Sequence, residues 1–468
     1  MLNYKINISF VIKKYDAIVL GRGPLGIYTS CKLTDKGYRV LNIDCGTGLK
    51  KLKEKQYVKS NILWKTKQDA PSLDEQASHS RWHGGCMNLP TSELGNRNLT
   101  VPIAKENFLN STENVKKFFN ITDFDFSENK PYEYSRNKKH TIDNVRYTYL
   151  TKNLNFEEKI QKLESSDLYN FVNLKELTTF KLTPGEEIII ESVDISKKVT
   201  LNKASRLFIC LGAVENARLL MNNSDSLNLS LKNIGKNLND HLRFPVAKIK
   251  FKNFSKFRNI FDKKRNSTNS RNLWPRYIVE SDDLKSYGFF KDWRYSNIFL
   301  RKLNLNFFKK IFSHKGTAVL YLFTEKLLSN NTNLNLSISE NLIPNLEVNF
   351  NLVEDEIKQL NSLTDSYLNQ LSEQFGNQIM SIDKYNIDTD EKFLKSVVSS
   401  NHPSGTTPMG TGASSSVVNS DSQLWDHSNI FVFGSSTLPR PYYIHPTFTS
   451  MVIADVSLNS FSNFSNEN

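Results

Sequence analysis

The fold of this 468-residue chain is decided by the stretch Tyr15-Asp-Ala-Ile-Val-Leu-Gly21-Arg-Gly23-Pro-Leu-Gly26. Its apolar run, Ala17 to Leu20, ends at a glycine turn, which predicts a buried parallel strand. A helical run follows, and a second strand, Arg39 to Ile43, ends at Asp44. This order of strand, glycine turn, helix, strand and acid predicts a dinucleotide-binding unit.

The glycines of this turn have separate roles. Gly21 permits a tight turn, Gly23 lets a pyrophosphate approach the backbone, and Gly26 lets the helix pack closely on the strand. The acid would accept the ribose hydroxyls and disfavour a 2′-phosphate, which predicts FAD or NAD but does not choose between them. The alternative is an ordinary glycine turn. The predicted cofactor-binding residues here are Gly21, Gly23, Pro24, Leu25, Gly26, Asp44 and Cys45.

The bulk composition indicates a globular protein. Hydrophobic residues make up 38% and charged residues 23% of the chain, which excludes a disordered protein. The net charge is +13, but no recognisable nucleic-acid-binding module accompanies it, so we predict no nucleic-acid partner. No apolar run approaches the roughly 20 residues of a membrane span.

The four cysteines are scattered and form no pair with the spacing of a metal or redox site. We therefore predict no metal. So few thiols suit a reducing compartment. The N-terminal apolar run, residues 6–12, lacks a small-residue cleavage site, so we expect a cytoplasmic protein without a signal peptide.

Glycine-rich blocks recur later in the chain. In His79-Ser-Arg-Trp82-His83-Gly84-Gly85-Cys86-Met-Asn88, two glycines beside bulky rings indicate backbone lying close against a flat group, or a plain glycine turn. A second strand, glycine turn and helix runs over residues 207–220, and a block at 233–241 follows. The C-terminal part contains the blocks 401–410 and 429–450, with a helix predicted after Pro446.

The middle of the chain, residues 246–395, differs in pattern. Alternating runs predict an antiparallel sheet at Val246 to Phe251, Thr317 to Phe323, Leu334 to Ile338 and Leu346 to Phe350. Glu354 to Phe375 has helical spacing. The basic segment Lys250 to Arg271 is interpreted as a solvated loop over a substrate cleft, with a basic lid or an anionic-surface contact as alternatives.

Together these blocks resemble the glucose–methanol–choline (GMC) oxidoreductase family. The resemblance covers residues 15–46, 79–90, 207–241 and 401–460, in the family's order, and no motif matches in 246–395. The blocks around Glu215-Asn216 and Asp240-His241 are most similar to bacterial sugar and polyol dehydrogenases. The resemblance implies FAD. We expect Asp240 and His241, and also Glu215 and Asn216, to brace the cofactor domain without a catalytic role.

The implied fold is α/β, α+β overall. An FAD-binding, Rossmann-like doubly wound domain is built from discontinuous segments, and a substrate domain with a mainly antiparallel sheet and helices is inserted. The FAD-binding domain would comprise residues 1–125, 171–245 and 396–468, and the substrate-binding domain 246–395. Residues 126–170 would form an excursion that the substrate domain could include.

The resemblance also implies further site residues. Asn88 or Leu89 stands where members with histidine-linked flavin carry histidine, so we expect non-covalent FAD. Gly434 stands where many members carry Asp, which weakens one expected cofactor contact. The additional cofactor-binding residues are Gly84, Gly85, Asn88, Gly212, Gly434, Ser435, Pro446 and Thr447.

Two histidines, His402 and His445, match the family's two catalytic positions. Alcohol oxidation needs a base for the hydroxyl proton, which histidine suits, while the flavin N5 atom accepts the hydride. We predict His402 as the base and His445 as a hydrogen-bonding partner of the hydroxyl that could share this role. A helix starting after Pro446 would favour negative charge on the reduced flavin.

The partners implied are a small alcohol or sugar and an electron acceptor, which the sequence leaves open among oxygen, a quinone and a protein. Aromatic and basic residues at 289–312 predict a packed surface helix, with peripheral membrane contact as the alternative. Two other functions stay open: a flavin-binding lyase or isomerase without redox turnover, and a non-catalytic flavoprotein within a complex. The presence of both histidines argues against the last.

Overall fold

The structure is a computed structural model. It describes residues 15–44, 57–59, 85–95, 100–121, 132–133, 141–142, 145–150, 156–173, 178–183, 187–192, 196–200, 205–252, 254, 257, 267–268, 271–280, 285–295, 316–325, 332–337, 345–350, 352–388, 391–400, 402–425 and 427–461.

The described residues form strands and helices in mixed order. The strands are β1 (Ala17–Leu20), β2 (Val40–Asp44), β3 (Tyr57–Lys59), β4 (Gly85–Cys86), β5 (Tyr132–Glu133), β6 (Thr141–Ile142), β7 (Val145–Leu150), β8 (Tyr169–Asn173), β9 (Thr178–Thr183), β10 (Glu187–Ser192), β11 (Ser196–Thr200), β12 (Arg206–Ile209), β13 (Leu242–Phe251), β14 (Ser267–Thr268), β15 (Arg271–Glu280), β16 (Lys285–Tyr295), β17 (Gly316–Thr324), β18 (Thr332–Ser337), β19 (Asn345–Phe350), β20 (Ile379–Lys384), β21 (Val398–Ser399) and β22 (Ile430–Val432). The α-helices are α1 (Pro24–Asp35), α2 (Lys105–Phe118), α3 (Phe156–Glu164), α4 (Ala213–Asn222), α5 (Glu354–Phe375), α6 (Glu391–Ser396) and α7 (Pro446–Asn459). Among these residues, no helix is both long and apolar enough to span a membrane.

A five-stranded parallel sheet has the order β22-β12-β1-β2-β8. Its central strand, β1, is fully buried and pairs in parallel with β12 on one side and β2 on the other. The five strands come from distant parts of the chain, between residues 17 and 432. The prediction of an α/β fold with a parallel sheet built from discontinuous segments is confirmed.

The helices beside this sheet meet at one buried carboxylate. Asp455 of α7 accepts hydrogen bonds from Tyr28 Oη of α1 (2.7 Å) and from Asn114 Nδ2 of α2 (2.8 Å). Lys32 Nζ of α1 lies 3.0 Å from the same carboxylate. Because an unpaired buried charge is costly, these partners favour one arrangement of the three helices.

A nine-stranded sheet accounts for most of the predicted antiparallel middle. Its main order is β20-β13-β17-β16-β15-β7-β4, with β14 and β21 attached at the side. The central pairs of β13 with β17 and β17 with β16 are antiparallel. The predicted second, mainly antiparallel sheet is therefore confirmed. Its edge strand β4 contacts α7, one of the helices beside the parallel sheet.

Two predictions for the middle of the chain are wrong in detail. The alternating runs at 334–338 and 346–350 do not join the large sheet, because β18 and β19 form a separate sheet with β3. The surface helix predicted at 289–312 is a strand over its described part, since β16 runs to Tyr295 between β15 and β17. Phe289 stacks on the ring of Tyr321, its register partner in β17.

The basic segment 250–271 is described only in part. Phe251, Phe254 and Phe257 are fully buried, and Phe257 lies edge-on to Phe375 of α5. These aromatic residues therefore anchor the start of the segment in the core, whereas the solvated loop stays a prediction. The domain boundaries also stay a prediction; β8 begins at Tyr169 and β13 at Leu242.

Candidate active site

Two glycines of the turn after β1, Gly21 and Gly26, have no room for a side chain. Gly21 adopts a φ of +99°, and a Cβ on it would lie 2.5 Å from the Cys210 carbonyl oxygen. A Cβ on Gly26 would lie 2.0 Å from the Gly21 carbonyl oxygen. The turn therefore holds β1, β12 and α1 at their closest approach, as the predicted roles of these glycines require.

Helix α1 begins at Pro24, directly after the turn, with Leu25 in its first turn. Gly23 is its N-cap residue, and among the described residues no side chain caps this helix end. Its N–H groups and the helix dipole are therefore available to an anion such as a diphosphate.

The predicted acid, Asp44, is the last residue of β2 and pairs with Asn173 in the neighbouring β8. Next to this edge, the Arg22 guanidinium lies 3.8 Å from the centroid of the Phe171 ring and forms an ion pair with Glu164. Ligands of open α/β sheets bind at the carboxyl ends of the strands, which is where Asp44 lies. Cys45 lies outside the described residues.

Two further glycine turns lie beside the first. Gly212 follows β12 with a φ of +88°, and Gly434 follows β22 with a φ of +134°. The Asn216 side chain connects them, because its Nδ2 donates to the Phe433 carbonyl (3.1 Å) and to Ser436 Oγ (2.8 Å). This supports the interpretation of Asn216 as a residue that braces the site.

The start of α7 lies against the segment that follows the Gly-Gly pair. Pro446 and Thr447 open the helix, and Thr449 Oγ1 donates to the Met87 carbonyl at 3.4 Å. Asn88 Nδ2 donates to Thr112 Oγ1 of α2 at 2.9 Å. Gly85 lies in β4, and Gly84 lies outside the described residues.

The structure brings the two predicted catalytic histidines together. His402 Nε2 lies 3.3 Å from His445 Nδ1, and the two rings are perpendicular with centroids 4.9 Å apart. His445 is the N-cap residue of α7. Ser435, predicted at the cofactor, donates to the carbonyl of Pro403 at 2.7 Å and so ties the third glycine turn to the residue after His402.

Sequence reasoning underestimated His241. Its Nδ1 lies 3.1 Å from His402 Nδ1, and its Nε2 faces the carbonyl oxygens of Pro441 (3.2 Å) and Tyr442. The expectation that His241 only braces the cofactor domain is therefore incomplete, because its ring contacts a predicted catalytic residue. The sequence pair Asp240-His241 indicated a structural role, but it did not indicate that the His241 ring faces His402.

Asp240 holds the backbone of both histidines. Its Oδ1 accepts the N–H groups of His241 (2.6 Å) and His402 (3.0 Å), and its Oδ2 accepts the Ser399 hydroxyl (2.6 Å). The carboxyl is buried, and this burial raises its pKa to about 6 against the opposing effect of these hydrogen bonds. Asp240 therefore braces this site, as the sequence suggested.

The antiparallel sheet contributes two aromatic residues that the sequence did not identify. Tyr287 Oη of β16 lies 3.4 Å from His445 Nε2. The Phe323 ring of β17 stacks on Tyr287 with centroids 4.4 Å apart and lies 4.5 Å from the His241 ring. This face of the histidines is therefore apolar, apart from the tyrosine hydroxyl.

The surroundings keep the imidazoles of His402 and His241 neutral. Burial lowers the pKa of His402 well below its usual range, and the neighbouring His445, His241 and Arg243 lower it further. Burial lowers the pKa of His241 to about 4, although its two carbonyl partners oppose this shift. A neutral imidazole that contacts a second imidazole next to a helix N-terminus can accept a proton from a hydroxyl group.

Comparison with known proteins agrees with this geometry. The family model described as GMC oxidoreductase matches residues 337–454, which include His402 and His445. Residues 337–454 are thus similar to the corresponding domain of GMC oxidoreductases. The family resemblance found in the sequence is thereby confirmed, and the candidate base and its partner both lie inside the GMC domain.

Solved structures of other proteins share the overall fold. Pyridoxine 4-oxidase from Mesorbium loti has 13% sequence identity and a TM-score of 0.57, with 96% of this chain and 99% of that chain covered. Two structures from work on FAD modification in Aspergillus oryzae RIB40 formate oxidase each have 11% identity, with 95% of this chain and 97% of that chain covered. Their TM-scores are 0.52 and 0.55. Among curated protein sequences, no match was found.

Proposed function

We propose that this protein is an FAD-dependent oxidoreductase that oxidises a CH–OH group of an alcohol or sugar, with His402 as the base. The observation that carries the proposal is the contact between His402 Nε2 and His445 Nδ1 at 3.3 Å, at the start of α7 within a GMC domain. General base catalysis needs such a nitrogen within hydrogen-bond reach of the hydroxyl.

The residues present fit FAD. Gly21 and Gly26 keep the backbone of the turn close to β12 and α1, and the N-terminus of α1 offers N–H groups to a diphosphate. Asp44 at the edge of the sheet would bind the ribose. Asn88 supplies no nucleophile for a flavin bond, which supports non-covalent binding. When bound, FAD supplies the hydride acceptor for the oxidation.

The histidines and α7 divide the remaining tasks. His402 takes the proton of the substrate hydroxyl, and His445 hydrogen-bonds the same oxygen. The N-terminus of α7, which begins directly after His445, favours the negative charge that develops nearby. Tyr287 and Phe323 exclude water from one side, which strengthens these interactions.

The test is anaerobic mixing of the FAD-loaded protein with sugars, polyols, sterols and aromatic alcohols, followed by flavin absorbance. We expect bleaching with at least one class, and we expect His402→Ala to abolish bleaching while FAD stays bound. His427→Ala is the matched control, because His427 Nε2 lies at the Leu227 carbonyl (2.9 Å) and His427 precedes β22, whose opposite end leads to Gly434.

Other outcomes would contradict the proposal. Turnover without bleaching would indicate a lyase or isomerase, and bound FAD that no alcohol reduces would indicate a non-catalytic flavoprotein. Loss of FAD in His402→Ala would show that His402 has a structural role. Reoxidation of the bleached protein by oxygen, a quinone or a protein would then identify the electron acceptor.

We also propose a cytoplasmic location. The described cysteines, Cys31, Cys86 and Cys210, are free and buried. Free thiols suit a reducing compartment, which supports this proposal.

A further inference from the structure

Three imidazoles form a row between two backbone carbonyls and a tyrosine. We call His241, His402 and His445 the histidine row. Along it, the nitrogen contacts are 3.1 Å between His241 Nδ1 and His402 Nδ1, and 3.3 Å between His402 Nε2 and His445 Nδ1. Each contact brings two nitrogens together, so one of them must carry a hydrogen and the other a lone pair.

The two carbonyl oxygens at one end of the histidine row determine the tautomer of His241. His241 Nε2 faces the carbonyl oxygens of Pro441 and Tyr442, and carbonyl oxygens only accept hydrogen bonds. Nε2 must therefore carry the hydrogen. A neutral imidazole has one N–H, so Nδ1 of His241 carries a lone pair. Burial of this ring, which lowers its pKa to about 4, keeps it neutral.

The tautomer of His241 determines the tautomer of His402. The lone pair of His241 Nδ1 points at His402 Nδ1, 3.1 Å away, so His402 Nδ1 must donate. In the other tautomer of His402, two lone pairs would face each other across this buried contact. His402 Nε2 is then left with the lone pair, on the side of His445.

The hydrogen bonds have the same donor-to-acceptor direction up to the tyrosine end of the histidine row. His445 Nδ1 donates to His402 Nε2 when no substrate lies between them. The Nε2 atom of His445 then accepts from the Tyr287 hydroxyl, 3.4 Å away. One consistent set of tautomers therefore runs from the carbonyls of Pro441 and Tyr442 to Tyr287.

We infer that His241 is a positioning residue that fixes the tautomer of His402, so that His402 Nε2 is the atom that takes the substrate proton. This inference rests on the proposed function for the identity of the proton donor. The hydroxyl proton moves to His402 Nε2, and His402 becomes an imidazolium whose Nδ1–H remains bonded to neutral His241. The lone pair of His241 thus stabilises the charge that forms on the base.

The other groups near His402 do not replace this contact. His445 lies on the Nε2 side, Arg243 carries a positive charge, and Phe323 is apolar. Asp240 bonds the His402 backbone N–H rather than its ring. Among the described residues, His241 is therefore the ring's acceptor for the Nδ1 hydrogen.

Two variants of nearly equal size test the inference. Asn in His241→Asn keeps an acceptor oxygen near the position of His241 Nδ1, whereas Leu in His241→Leu has the same shape without it. We expect His241→Leu to slow anaerobic flavin reduction about tenfold to a hundredfold, with bound FAD unchanged and the acid limb of the pH–rate profile moved to lower pH. His241→Asn should restore the rate to within about threefold of wild type, because the acceptor is kept.

Equal losses in both variants would overturn the inference, since they would show that only packing matters. So would a wild-type rate and pH profile in His241→Leu. A second measurement needs no activity: neutron diffraction from crystals of the FAD-loaded protein. We expect deuterium on His241 Nε2 and on His402 Nδ1, and deuterium on His402 Nε2 alone would refute the assignment.

The two measurements also separate this inference from the proposed function. If no alcohol bleaches the flavin of the wild-type protein, the proposed function fails, and the neutron result still decides the tautomers. If bleaching occurs but the neutron map shows the other tautomer, only the role of His241 fails.

Discussion

The glycine turn after β1 occupies six consecutive residues, 21–26, whereas the histidine row combines rings from distant parts of the chain. His241 and His402 alone are 161 residues apart in sequence. The turn works because Gly21 and Gly26 carry no side chain, so that backbone approaches backbone at these two positions. The row works because each buried polar atom has a partner. The two parts of one site therefore depend on opposite properties.

This difference predicts how each part fails. In the turn, an added methyl group meets backbone atoms that cannot move aside. In the row, a removed polar group leaves a buried partner without a hydrogen bond, and the chain can still fold around it. Damage to the turn should therefore remove the cofactor, whereas damage to the row should remove the chemistry and leave the cofactor bound.

The largest expected effect is that of Gly26→Ala. The new Cβ would lie 2.0 Å from the Gly21 carbonyl oxygen, which forces α1 away from β1. We expect loss of most bound FAD and a decrease of about 3 kcal/mol in the free energy of unfolding. The flavin-to-protein absorbance ratio measures the bound FAD, and urea denaturation measures the free energy of unfolding. Gly412→Ala is the control, because its Cβ would meet nothing within 4 Å; equal FAD loss in both variants would contradict the comparison.

The next effect concerns Asp240, which holds the row. Asp240→Ala leaves two backbone N–H groups and the Ser399 hydroxyl without their acceptor, at a cost of about 2 kcal/mol in unfolding free energy. We expect FAD to stay bound while flavin reduction slows at least tenfold, about 1.4 kcal/mol in activation free energy. Asp240→Asn, which keeps an acceptor oxygen, should lie between Ala and wild type. FAD loss equal to that of Gly26→Ala would show that turn and row are not separable.

The third effect, which is the smallest near neutral pH and grows only in acid, is the pH dependence of stability. The pKa of His241 is lowered on folding from 6.5 to about 4, so the unfolded chain binds the extra proton first as the pH falls through this window. Stability is therefore present above pH 6.5 and is lost toward pH 4, by up to about 3 kcal/mol for this one ring. His402, also lowered, acts in the same direction. Urea denaturation at several pH values should show a shallower loss for His241→Asn than for wild type.

Asp240 should change the pH dependence of stability in the opposite direction to the histidines. Its pKa is raised from 3.8 to about 6, so the folded protein binds this proton first and its contribution grows as the pH falls. It opposes the histidines between these values. Asp240→Asn removes the opposing contribution and should lose stability more steeply in acid than wild type. A shallower loss would contradict the assignment.

The sequence by itself determined the elements whose signals are local. The strand, glycine turn and helix at 17–35 form as predicted, and so do α5 over Glu354–Phe375 and the helix that begins at Pro446. The glycine positions were readable because steric exclusion acts between neighbours in the chain. The two histidines of the GMC motif were readable because they lie in blocks with a recognisable order.

Only the tertiary structure decided which rings meet and which strands share a sheet. A strand's alternation shows that one face is buried but not which strand pairs with it, so β18 and β19 were assigned to the wrong sheet. The end of β16, from Phe289 to Tyr295, was predicted as part of a helix. Likewise, the sequence placed His241 in a motif but could not direct its Nδ1 toward His402 or bring Tyr287 to His445. Hydrogen bonds and ring contacts depend on distances of a few ångströms between segments far apart in the chain, and these distances exist only after the two sheets have packed together.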